Sequence, residues 1–533
     1  MRNLLIILAC LLSMLLSTAH ASSDKSTQEL LIELTTVKLS KSIPVLQALA
    51  ENDAEKMLPL FNTMLKGQLY YVKSDKQLLS IAKVDGVKQY TKVFTGEAIE
   101  PLSKKATKKI RVNNKVRRFL RETIARTQLS ASAPESREKA LISLLSKLDK
   151  SIISTIQSLR EHESDETVLE LMDVAIAMYT LSNSKEANER LSAVHTLDGR
   201  LENEVRNLFV SVVKNETDSK VKAAIDKALA MLDDRIENYQ FVNKLFFGLS
   251  LGSVLLLAAI GLAITFGVMG VINMAHGEMI MLGAYTTYVV QMMMPNAIDY
   301  SLWVAIPLAF LVSGSVGVLI ERGVIRHLHG RPLETLLATF GISLILQQLV
   351  RSVFSPLNRQ VESPTWMSGS LDINPVLSLT LNRLYILAFA LLVFGLLLLI
   401  LNKTSLGLNV RAVAQNRNMA KAMGIRTDRV DAMTFGLGSG IAGMAGVALS
   451  QLTNVGPNLG QAYIIDSFMV VVFGGVGNLW GTLVAAFTLG VANKFIEPIT
   501  GAVLASILVL VFIILFIQKR PKGLFPQKGR AAE

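Results

Sequence analysis

Four groups of residues in this 533-residue sequence have types and spacings that could do chemistry, and all four interrupt apolar surroundings. The first is Asn273-Met274-Ala275-His276-Gly277-Glu278, a cluster of an amide, an imidazole and a carboxylate inside a long hydrophobic run. Ionisable groups at membrane depth are costly, so they face a cavity, a partner or an interface. The same run also reads as the turn between two spans at the cytoplasmic surface. The second group is Asp466 with the run Gly474-Gly475-Val476-Gly477-Asn478. It reads as a broken helix whose backbone and amide groups line a solute path, or as glycines that only permit close packing. The third is the amphipathic stretch from Arg411 through Asn416 to Gly424. Its terminal glycine is a helix stop, and it reads as a surface helix or as a helix that docks on another subunit. The fourth is Gly436-x-Gly438-x-Gly440-x-x-Gly443-x-x-Gly446. It matches a dinucleotide fingerprint formally, but no strand precedes it, and the same spacing lets membrane helices approach closely.

Several chemistries are excluded. A single cysteine, Cys10, gives neither a disulfide framework nor a Cys-based zinc site, and the six histidines form no His-x-x-x-His pair. No phosphate-binding Gly-x-x-x-x-Gly-Lys-Ser/Thr sequence occurs, so any ATP would be bound by another subunit. Catalytic and metal residues are therefore not assigned.

The elements that position these groups follow from composition. Hydrophobic residues make up 51% of the chain and charged residues 18%, unevenly distributed. Arg2, the apolar run Leu4–Leu16 and Ala19-His20-Ala21 read as a signal peptide over residues 1–21. Residues 22–240 are rich in Lys, Glu, Asp and Arg and show little strand alternation. Helical spacing such as Leu141, Leu144, Leu145, Leu148, Ile152 and Ile156 predicts an exported, all-helical domain. Glu163–Met178 resembles Glu216–Met231 at an offset of 53, which suggests a HEAT-like repeat. The basic cluster from Lys104 and Lys105 through Lys108, Lys109, Arg111, Lys115, Arg117, Arg118 and Arg121 reads as a solvated helical face. Aromatic residues are too scarce there for nucleic acid, which is not expected as a partner.

Residues 241–520 predict an all-α, polytopic membrane bundle, followed by a cytoplasmic tail at 521–533. Nine apolar segments are legible, near Leu245–Gly270, Val271–Met294, Leu302–Ile320, Thr335–Val353, Leu384–Leu401, Phe435–Leu452, Ile464–Val476, Leu479–Ile496 and Val503–Ile517. The count is eight if the short Ile464–Val476 segment is re-entrant. Lys and Arg crowd 321–334, 402–431 and the tail, which places these in the cytoplasm.

Taken in order, these stretches resemble the membrane permeases of branched-chain amino acid type ABC importers. The likeness is carried by Asn273…His276-Gly277-Glu278…Gly283-Ala284-Tyr285, Glu321-Arg322…Gly330-Arg331-Pro332, and Thr339-Phe340-Gly341-Ile342-Ser343. Arg411…Asn416…Met423-Gly424-Ile425, Phe473-Gly474-Gly475-Val476-Gly477-Asn478 and Arg520-Pro521-Lys522-Gly523 complete it. The long exported domain departs from that pattern and, with Gly477-Asn478-Leu479-Trp480, resembles the urea-type permeases of the same family. The resemblance implies a permease subunit in a bacterial inner membrane that moves urea or a short-chain amide. It implies a second related permease, two ATP-binding subunits and a periplasmic substrate-binding protein as partners, with membrane lipid around it and no cofactor of its own. It makes Arg411, Asn416 and Gly424 the ATPase-coupling loop. A branched-chain amino acid permease is the alternative within the family. A membrane sensor is the alternative from another class; it calls for a cytoplasmic output domain, and 16 residues follow Ile517.

Overall fold

The computed structural model describes residues 26–84, 87–100, 102 and 106–525. The expected signal peptide, with Cys10, lies outside the described residues, as do Lys104, Lys105 and the end of the tail. The chain forms two compact units, one ending at Leu232 and the other beginning at Asp233.

The first unit opens with α1 (Thr27–Thr36), started by a reciprocal Ser26/Glu29 capping box, and α2 (Ser42–Leu65). The unit is predominantly helical, as expected, but a small sheet interrupts its helices next. Strands β1 (Leu69–Val72), β2 (Leu78–Val84), β3 (Val87–Lys92), β4 (Ala98–Ile99) and β5 (Thr107–Lys109) form an antiparallel sheet. Their order is β4-β3-β2-β1-β5, with Tyr70 paired to Leu79 on one side and Lys109 on the other. Leu69, Tyr71, Leu79 and Ile81 are buried at every second position. The expected basic helical face is therefore split. Lys108 and Lys109 lie on β5, while Lys115, Arg117, Arg118 and Arg121 lie on the exposed side of α3 (Asn114–Gln128).

Beyond α3 the repeat is explicit. Helices α4 (Pro134–Leu144), α5 (Lys150–Arg160) and α6 (Glu166–Asn183) are followed by α7 (Ala187–Leu197), α8 (Asn203–Val212) and α9 (Ser219–Met269). Each helix of the second set starts 53 residues after its counterpart. The unit thus has three helices, where HEAT and armadillo units have two or three in about 40–47 residues. One side-chain staple recurs at the same offset. Arg137 Nε and Nη2 donate to the two oxygens of Glu163, both at 2.7 Å, and Arg190 does the same to Glu216 at 2.9 and 2.8 Å. Each glutamate also accepts two backbone N–H groups from the turn, which ends in a capping aspartate, Asp165 or Asp218. The glutamate side chains are only 5% and 4% exposed, so bidentate pairing is what keeps burial of these charges tolerable.

The second unit contains the rest of α9 and helices α10 (His276–Met293), α11 (Ile298–Gly323), α12 (Pro332–Phe354), α13 (Leu381–Lys403), α14 (Ser405–Gln415), α15 (Arg417–Ala422), α16 (Thr427–Ser450), α17 (Leu459–Gly474), α18 (Leu479–Thr500) and α19 (Ala502–Lys519). Among the described residues, seven helices are long and apolar enough to cross a membrane: α9, α11, α12, α13, α16, α18 and α19. The other two expected segments form α10 and α17, of 18 and 16 residues. In α10, twelve of the 18 residues are buried by neighbouring helices, so its polar residues meet protein rather than lipid.

Helix α16 is the axis of this unit and is buried along nearly its whole length. Its glycines lie backbone against backbone on three neighbours: Gly438 on Gly261 of α9, Gly443 on Gly283 of α10, and Gly436 on Gly314 of α11. A Cβ built on Gly283 would lie within 2.6 Å of the Gly443 Cα, a contact no side chain could yield to. The glycine pattern is thus a packing device within an apolar helix.

Candidate functional site: a buried polar seam and an apolar-tipped helix pair

The Asn273–Glu278 run is both the turn between α9 and α10 and a buried polar site. Asn273 accepts the Ala275 N–H (3.0 Å) through its side chain, and the Met274 N–H donates to Thr339 Oγ1 at 3.1 Å. The His276 Nε2 lies 2.9 Å from the Ala258 carbonyl oxygen, which requires the proton on Nε2 and leaves Nδ1 buried without a partner among the described residues. Glu278, 1% exposed, accepts at Oε1 from Ser343 Oγ (2.9 Å) and Gln347 Nε2 (2.7 Å). Among the described residues its Oε2 is buried without a hydrogen-bond partner, as is the Tyr285 hydroxyl two turns further along α10.

The groups that meet Glu278 come from α12, which carries Thr335, Thr339, Ser343 and Gln347 at a period of four on its buried face. Leu333, Leu337, Leu344 and Val353 point outward. Polar inside and apolar outside is the reverse of a soluble amphipathic helix and suits a helix between lipid and a polar interior. Ser343 and Gln347 were absent from the sequence assignment of the site, although the four-residue period of hydroxyl and amide side chains was there to find.

The second group does not come together as expected. Helix α17 ends at Gly474, Gly475 and Gly477 take φ of 104° and 79°, and Asn478 caps α18 by accepting the Gly481 N–H at 3.1 Å. The Asn478 Nδ2 donates to the Phe525 carbonyl (3.2 Å), while the Leu524 and Phe525 N–H groups donate to Phe473 (2.9 Å) and Gly474 (3.1 Å). A Cβ on Gly475 would sit 2.6 Å from the Phe525 oxygen, so glycine is what lets the tail segment lie there. The break is a clasp for residues 523–525. Asp466 is eight residues back along α17, about 12 Å at the helical rise, and has no hydrogen-bond or ion-pair partner among the described residues.

The third group forms two helices rather than one. Asn416 is extended (φ −152°, ψ 101°) and caps α15 by accepting the Met419 N–H at 2.9 Å, which breaks the stretch between α14 and α15. Gly424 takes φ 87° and closes α15 with the Gly424→Lys421 and Ile425→Ala420 backbone bonds. Arg411 of α14 donates to the Leu401 carbonyl at the end of α13. Leu408, Met419 and Met423 are 61%, 60% and 76% exposed on this otherwise polar pair. A cavity of about 710 Å³ brings Arg411 together with Asn402, Asn478, Trp480 and Phe525.

A bundle with a buried polar seam, a glycine-packed axis and an apolar-tipped helix pair on a Lys- and Arg-rich loop has the features of a helical membrane permease. Residues 244–517 match the family described as the permease component of branched-chain amino acid transport systems. The chain belongs to that family. It is 30% identical to the high-affinity branched-chain amino acid transport permease BraD of Pseudomonas aeruginosa, over 54% of this chain and 96% of that protein. It is 30% identical to the LivH permease of Salmonella typhimurium (53% and 95%) and 29% identical to that of Escherichia coli K12 (53% and 95%). No solved structure matches the chain.

Proposed function

We propose that this chain is one membrane subunit of an ATP-driven importer for urea or a short-chain amide, with residues 22–240 in the periplasm and the 402–431 loop in the cytoplasm. It pairs with a second related permease, two ATP-binding subunits and a periplasmic binding protein. The observation that supports the importer reading most is the exposed Leu408 on α14, Met419 on α15 and Met423 directly after it. Apolar side chains on a Lys- and Arg-rich loop are left for a protein partner, and the loop's charge favours the side where ATP is found. ATP binding and hydrolysis bias an inward-facing against an outward-facing state through this contact.

The solute reading rests on the seam between α10 and α12. Thr339, Ser343, Gln347 and Tyr285 supply hydroxyl and amide groups, which suit an uncharged solute handled by hydrogen bonds. The branched-chain amino acid reading is favoured by the relatives' own names and stays beside it.

The docking is tested by cross-linking. A cysteine at Met423 in an otherwise cysteine-free chain should cross-link to an ATP-binding protein in native membranes, whereas one at Ile465 should not. Absence of that product at Met423 would overturn the docking.

A further inference from the structure

Resting on the importer reading, we propose that the Arg417–Asp431 ion pair is the link through which a displacement of the cytoplasmic helix α15 reaches the bundle axis α16. Arg417 opens α15 directly after the Asn416 cap. Its guanidinium makes a two-bonded pair with Asp431, with Nη1 3.2 Å from Oδ1 and Nη2 bonded to Oδ2. Asp431 is 3% exposed and is the fifth residue of α16. Removing Arg417 leaves this carboxylate buried and unpaired. The pair is two-bonded and therefore directional, so a movement of α15 pulls on α16 rather than sliding past it.

Around the pair, Val410, Val413, Ala420 and Val430 form a small apolar cluster that ties α14 and α15 to the start of α16. From there α16 has no slack. Gly443 and Gly446 press on Gly283 and on the Ile280 carbonyl of α10, the helix that begins with His276 and Glu278. A close-packed backbone contact transmits a shift as a step between packings instead of absorbing it. Arg417–Asp431 is therefore a positioning pair, about a helix length from the seam it acts on.

The test uses the assembled transporter in proteoliposomes and compares the ratio of uptake to ATP hydrolysis. Arg417→Gln should cross-link at Met423 as before but lose solute-coupled uptake by about 5–150-fold, the range of ordinary coupling energies. The charge-exchanged double variant Arg417→Asp/Asp431→Arg should recover a large part of that loss. The neutral double variant Arg417→Gln/Asp431→Asn, which buries no lone charge, should fold and stay uncoupled. Normal uptake in Arg417→Gln would overturn the link. Full recovery in the neutral double variant would also overturn it, since charge burial alone would then account for the defect. If the unmodified protein neither cross-links nor shows ATP-dependent uptake, the importer reading fails first. That outcome is distinct, because it appears before any substitution is made.

Discussion

Replacing Asn478 by Leu removes two bonds from the turn between α17 and α18 at nearly constant bulk. The side-chain oxygen caps α18 through the Gly481 N–H, and loss of such a cap costs about 1 kcal/mol. The side-chain amide donates to the Phe525 carbonyl, and loss of one such bond costs about 1 kcal/mol more. Each loss corresponds to about a fivefold change in the local opening equilibrium. Hydrogen exchange read by mass spectrometry should show both, as faster exchange at Gly481 and at Leu524 and Phe525, whose N–H groups bind Phe473 and Gly474. Asn478→Asp keeps the capping oxygen and drops the donor, so there only the tail amides should accelerate. Unchanged exchange in Asn478→Leu together with collapsed uptake would refute the clasp and return Asn478 to the solute path.

Gly283→Ala forces a Cβ onto the Gly443 backbone and should exceed the about 1–3 kcal/mol of ordinary overpacking, seen as early thermal inactivation in detergent. A Cβ added at Gly424 meets no neighbour within 4 Å, so the cost expected of Gly424→Val is that of the left-handed backbone, about 1–2 kcal/mol; transport should fall while membrane insertion is kept. Glu163→Gln should loosen α4–α6 and Glu216→Gln should loosen α7–α9, each by about 3 kcal/mol, since each breaks a buried pair; local hydrogen exchange checks this. The hydrogen bonds from Arg137 and Arg190 hold both carboxyls below the usual range. Their contribution is therefore full above about pH 4.3 and fades only as pH falls through the lower folded values, so melting of the repeats should not change between pH 5 and 8.

The membrane half was legible because span length and apolar runs are dictated by the bilayer, and the nine segments emerged as helices over nearly the same residues. The repeat offset was legible because Glu163-x-Asp165 and Glu216-x-Asp218 are local signals. Their partners Arg137 and Arg190 lie 26 residues away and left no local trace. The sheet at 69–109 was missed because lysines on its outward positions look like a solvated helix, while the alternation of Leu69, Tyr71, Leu79 and Ile81 is confined to short strands. The polar seam was half legible. Glu278 stands out in an apolar run and the four-residue period of α12 is visible, but only folding shows that Ser343 and Gln347, 65 and 69 positions away in sequence, meet Glu278. The glycine break was legible as a break, but what approaches it was not: positive-φ glycines open a backbone for any close approach, and here the chain's own residues 523–525 lie against it.

The most direct test of the importer reading is uptake by proteoliposomes holding the complete complex and its binding protein, with labelled urea and labelled leucine offered in parallel. The account predicts urea accumulation that requires ATP on the side carrying the 402–431 loop, is abolished without the binding protein, and is not competed by excess leucine. Leucine accumulation without urea uptake would contradict the solute assignment, and uptake of either solute independent of ATP would contradict the account as a whole.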